Sequence, residues 1–225
     1  MTLAIFQEQI EMERDWRESE IRFLHNVQET MGLTDRQRVR RSIVCLLYAH
    51  VEGFVKFAFS LYVDQINNQF LKCKDVSSAI AAAAFSKEFK ALKDVNKKSA
   101  FFINSLPEDK HLHSFAREMD FVSSIENFYE HPVFIGEDYI NTENNVGREV
   151  IEKMLFQVGL AYTDLREVYA PLNRLLNVRN DIAHGKRKQG IEDADYQVFL
   201  ECCRSVIEGV SRRLTTAFGN EQFRR

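Results

Sequence analysis

The chain has 225 residues, 45% of them hydrophobic, and a formal charge of −3, which excludes general disorder and excludes a global positive field that draws in nucleic acid. Any RNA contact must therefore come from a local basic patch. Only three prolines and nine glycines punctuate the chain, which favours long helices over many short strands and predicts an all-α protein.

The four cysteines, Cys45, Cys73, Cys202 and Cys203, lack paired metal-ligand spacing, and two are adjacent, which suits a reducing compartment better than a disulfide framework. Residues 1–8 carry no basic leader and no long apolar run, so the expectation is a cytoplasmic protein without a secretion signal.

In chain order, Phe6, Ile10, Trp16, Phe23, Val27 and Met31 recur at helical spacing and predict an amphipathic first helix that Gly32 ends. Thr34 and Asp35 are capping candidates for a second helix over about 35–68, the expected central helix. Its segment 43–63 is long enough to span a membrane. It also holds His50, Glu52 and Lys56, and a charge at a span's centre costs roughly 2.5–3.5 kcal/mol, so a buried core helix without membrane contact is the reading.

A third helix is expected over about 76–95, including the alanine run 81–84. Between Pro107 and Gly147 the pattern predicts short helices, an Asn-rich loop around 141–145 and a brief strand over 133–140; an insertion over about 70–147 is placed here. Helical periodicity resumes over 148–161, 164–184 and 193–218. There is no phosphate-cradling glycine loop and no internal repeat, so nucleotide-driven chemistry has no motif to rest on.

The helix ending at His184 has an apolar stripe of Val168, Leu172, Leu175 and Ile182, with Arg179 where another apolar residue is due. A guanidinium facing a packed surface must be paired, hydrogen-bonded or placed at an interface. Asn173, Asn177, Asn180 and His184 form an adjacent polar ridge at spacings of four, three and four. Beyond it, Gly185 is a natural stop, and Lys186, Arg187 and Lys188 supply a compact cationic patch suited to phosphates.

Residue types alone are served first by a Gly-capped helix whose terminal His and basic residues meet the dipole. With 18 arginines and 6 histidines in the chain, the bare Arg-x4-His spacing arises by chance about once in every two such sequences. Glu52, among Cys45, Tyr48, Val55 and Phe59 on its helix, wants a cation. Two readings stand: a surface pair with Lys56 at i+4, or support of Arg179. His50 reads first as a core histidine, and the arginines at 36, 38, 40 and 41 as a solvated helix end. His111 and His113 diverge by about 200° on a helix and gather no metal-ligand set.

The segment Arg179-Asn180-Asp181-Ile182-Ala183-His184-Gly185, at the end of a long late helix, resembles the HEPN superfamily, whose hallmark is Arg-x4–6-His with a polar residue after the Arg. The segment Tyr48-Ala49-His50-Val51-Glu52-Gly53-Phe54-Val55-Lys56 is similar to the early core helix of bacterial HEPN families of ribonuclease toxins and defence components. The two matches cover 35–68 and 164–218, and residues 70–147 carry no family motif.

The resemblance implies an antiparallel HEPN-like helical bundle over residues 1–225, a head-to-head homodimer, and a metal-independent composite site that cuts RNA without a cofactor. Arg179, His184 and Asn180 carry over, with Glu52 as a candidate support and Lys186, Arg187 and Lys188 as RNA contacts. His184 is then the proton carrier and Arg179 the cationic stabiliser. An antitoxin or defence subunit is an implied partner. The alternatives are a non-catalytic dimerisation or partner-binding module and, behind it, a nucleotide-binding one.

Overall fold

A computed structural model describes residues 2–99, 110–163 and 165–225. Among the described residues there are eight α-helices and no strand: α1 (Leu3–Glu29), α2 (Leu33–Asn67), α3 (Ser78–Ala84), α4 (Ser86–Lys93), α5 (Lys110–Ile125), α6 (Arg148–Gln157), α7 (Arg166–Ala183) and α8 (Asp193–Gly219). Pro107 and Asp164, taken from the sequence as boundaries, lie outside the described residues.

The bundle is built on α2, which packs against α1, α7 and α8. Its length and apolarity would allow it to cross a membrane, yet Val44, Leu47, Val51, Phe54, Val55, Ala58, Phe59 and Tyr62 are all buried inside the bundle. Burial of apolar surface at about 25 cal/mol per Å² makes this helix the main contributor to the core. The connection 30–32 is short, so α1 folds back along α2 and stacks Phe6 on Phe218 of α8, with ring centroids 4.7 Å apart.

Two expectations fail locally. The expected single helix over 76–95 is two helices, because Val76 is extended and bridges Arg224 while the Ser77 hydroxyl accepts from the Ile80 N–H to start α3. The helix breaks at Phe85, whose fully buried ring meets Phe128 and His131. In place of the expected strand over 133–140 there is a single Lys72–Pro132 bridge, then irregular chain and a 3-10 turn over Glu137–Tyr139. The Ile135 N–H and C=O both go to the Asn67 side-chain amide, at 2.9 Å each, which ends the ladder after one rung.

The arginine group at the start of α2 also divides differently from the solvated helix end expected of it. Arg40 is 1% exposed, lies over the Tyr196 ring, and donates to Gln28 at 2.8 Å and to Asp193 at 2.6 Å. Arg36 donates to the Glu29 and Met31 carbonyls, closing the end of α1. Only Arg38 is well exposed, beside Asp35.

Candidate functional site

Leu172, Leu175 and Val178 bury the inner face of α7, with Val168 and Ile182 packed partly against the core. This is the expected stripe, and it carries Arg179 to the edge of α2. Its guanidinium lies over the Tyr48 ring, 4.0 Å from the centroid, which satisfies the charge with a π-face on one side. On its edge Nη2 donates to Glu52 Oε2 at 3.3 Å and to the Asn144 carbonyl at 3.2 Å, while Nη1 donates to Asn180 Oδ1 at 2.9 Å. About a fifth of each partner in the Arg179–Glu52 pair remains solvent-accessible.

The Glu52 partner is thus Arg179 rather than Lys56, and Thr142 Oγ1 donates to the other carboxylate oxygen at 3.4 Å. Burial, reinforced by the Glu52 charge, pushes the Tyr48 phenol up to about 12, so the ring under the guanidinium stays neutral. One turn earlier on α2, burial raises the Cys45 thiol, against the opposing pull of Arg179 and Arg41.

Residues 141–145, in sequence only a polar loop, complete this setting. Asn141 Oδ1 accepts from the Glu143 N–H at 2.8 Å, and Glu143 and Asn144 both adopt positive φ, turning the Asn144 carbonyl toward Arg179. The signal in the sequence was the run of asparagines, the residues that tolerate the left-handed region best after glycine. Which helix end the loop would cover was not readable.

His184 caps α7 and Gly185, at φ +70°, turns the chain out of the helix. The imidazole is exposed and makes no hydrogen bond to Arg179; the guanidinium swings to α2 and the 141–147 loop rather than toward the last turn. Within one chain, then, Arg179, Asn180 and Glu52 are brought together and His184 stands beside them.

The basic segment after His184 is pinned to α2. Gly190 sits against Gln37, where an added Cβ would come within 2.6 Å of the Gln37 Cβ, and Ile191 N–H donates to the Gln37 carbonyl. Arg41 donates to the Lys188 carbonyl at 2.9 Å. Lys186 and Lys188 are exposed, whereas Arg187 leans toward Asp195, 4.0 Å away, a carboxylate already held by Arg174. His113 is buried on α5 and accepts from the Ser99 N–H, apart from this site.

A family model described as MAE_28990-like HEPN matches residues 6–223 of the chain. No curated protein and no solved structure matches it.

Proposed function

The chain belongs to the MAE_28990-like HEPN family, and on that premise we propose that it is a metal-independent endoribonuclease acting in the cytoplasm as a two-fold dimer. The observation that carries the reading is Arg179: a partly exposed guanidinium held on Tyr48 by Glu52, Asn144 and Asn180, on the helix that ends in an exposed histidine. Such an arrangement presents a fixed positive charge to a phosphoryl group with little reorganisation.

In this reading the ribose 2′-oxygen attacks the adjacent phosphorus, the 2′-O–P bond forms and the P–O5′ bond breaks. His184 accepts the 2′-hydroxyl proton, and an imidazolium delivers one to the leaving 5′-oxygen. Arg179 lies five residues and about 140° around the helix from His184, so a second copy facing the first supplies the complementary group. Lys186 and Lys188, with Arg187 at the margin, hold the strand. RNA is the substrate because DNA lacks the nucleophile. Residues 70–147 are an insertion into the bundle that lends Thr142 and Asn144 to the site.

The test is purified protein against mixed RNA in EDTA. The expected products carry 2′,3′-cyclic phosphate and 5′-hydroxyl ends, DNA is spared, and, compared as folded dimers, His184→Ala loses about 10²–10⁴ in rate and Arg179→Ala about 10²–10³. Strict metal dependence, 5′-phosphate ends or undiminished cutting by folded His184→Ala sinks the mechanism. The second reading, a non-catalytic module that binds an antitoxin or defence subunit, is favoured by one observation: Arg179 is engaged on several sides and makes no hydrogen bond to His184. Absence of cleavage under every condition, including after removal of a co-purifying partner, selects it.

A further inference from the structure

The exposed face of α7 does not end at the asparagines near His184. Counting back from the histidine, His184, Asn180, Asn177, Asn173, Ala170 and Arg166 fall at intervals of four, three, four, three and four residues, one face of a helix. All but the partly buried Asn180 are exposed, and none carries a carboxylate. At 1.5 Å per residue the face runs about 27 Å from His184 to Arg166.

Its far end opens into a cleft of about 580 Å³ lined by Arg148, Arg166, Tyr169, Ala170 and Asn173. Arg148, from the first turn of α6, sits 5.8 Å over the buried Tyr169 ring, and its Nε is paired with Glu152 at 3.0 Å. Arg166 has no hydrogen-bond or ion-pair partner among the described residues. Asn173 Oδ1 accepts from the Arg148 N–H at 3.1 Å, which fixes the amide so that its NH₂ is left to donate elsewhere. Two guanidinium groups from different helices thus converge on one concavity that also offers an oriented amide donor.

We propose that the Arg148–Arg166 cleft is a second phosphate-binding subsite, which holds the backbone of single-stranded RNA that runs along the α7 asparagine face to His184. The chemistry fits a strand rather than a single phosphate. Guanidinium groups mark one end, Lys186 and Lys188 the other, and the uncharged amides between them donate hydrogen bonds without repelling phosphate. At a stacked rise of 3.4 Å per nucleotide the face accommodates about eight nucleotides. The assignment rests on the ribonuclease reading for the nature of the strand, and on the cleft for its position.

The test is equilibrium binding, by fluorescence anisotropy, of 2′-O-methyl oligoribonucleotides of three and twelve nucleotides to the full-length chain; the probes lack the attacking hydroxyl. The twelve-nucleotide probe is expected to bind about tenfold more tightly or better, since it alone reaches both ends. The Arg148→Ala/Arg166→Ala variant brings the two affinities together and lowers the longer probe's salt slope by about 1.4, at about 0.7 per phosphate contact. Arg166→Ala alone, at an exposed position, removes about half of the length advantage on a logarithmic scale and covers the case in which the double variant is unstable.

Equal affinity for the two lengths, or a length advantage undiminished by Arg166→Ala, overturns the assignment. So does a variant that keeps the length advantage but loses self-association in sedimentation, which makes the face a contact between copies of the chain. Length-dependent binding without any RNA cleavage leaves the subsite standing and removes the ribonuclease reading; cleavage that is as fast on three nucleotides as on twelve does the reverse.

Discussion

Arg179 shows how one residue out of pattern is accommodated. A guanidinium on the inner edge of α7 is tolerable because a neutral ring, a carboxylate, a carbonyl and an amide surround it. Since the Glu52 pair is partly solvated, removing the charge costs less than breaking a fully buried pair. Glu52→Gln is expected to lower stability by about 1.5–3 kcal/mol in urea unfolding and to lower RNA cleavage with it. A variant with the parent's midpoint and activity would make the pair incidental. A second test at this scale is His50, which is buried between α1 and α2 with Nδ1 3.4 Å from the Arg17 guanidinium, itself paired with Glu13. Burial first, then Arg17, lowers its pKa, with Glu20 opposing. The folded value lies below the unfolded 6.5, so the unfolded chain binds more protons and stability is lost as pH falls below about 6.5. Thermal melts from pH 8 to 5 should show that decline, and His50→Gln should flatten it; an unchanged slope places the acid sensitivity elsewhere.

At the scale of elements, side chains that imitate backbone decide where regular structure stops. Asn67, at the end of α2, occupies both hydrogen-bonding groups of the nearly inaccessible Ile135, and so replaces the partner strand that the 133–140 pattern anticipated. Asn67→Ala leaves a buried N–H and C=O unsatisfied and is expected to cost about 1–3 kcal/mol by chemical denaturation. Little or no change would mean that the segment finds other partners. The same segment leads on to the 141–147 loop, so the anchoring of α2 to Ile135 also helps to place Asn144 over Arg179. Asn173 performs a related task between α6 and α7, accepting the first N–H of α6 where Gly147 supplies no side-chain cap.

For the whole molecule, the question is whether one chain holds a complete site. Arg179 is bound to α2 and the 141–147 loop while His184 faces outward without a hydrogen bond to it, which makes activity that depends on a second copy the expected behaviour. Sedimentation and dilution kinetics should show a dimer at micromolar concentration and specific activity that falls as it dissociates. A fully active monomer would remove the composite site.

Much of this was legible in the sequence because helical periodicity and side-chain chemistry are local. Long stretches with little proline or glycine, apolar residues at three- and four-residue spacing, and Gly185 after His184 determined the helices and where α7 ends. The need of Arg179 and Glu52 for opposite charges was legible too, since each interrupts an apolar face. Their pairing was not, because the two lie 127 residues apart and Lys56 was an equally good local partner for Glu52. The tertiary structure decided between them by packing α7 on α2, just as it buried Arg40 out of an otherwise solvated arginine cluster, delivered Asn144 from a loop, and drew Arg187 toward Asp195. Those outcomes depend on which surfaces meet, and surfaces distant along the chain meet only through the fold.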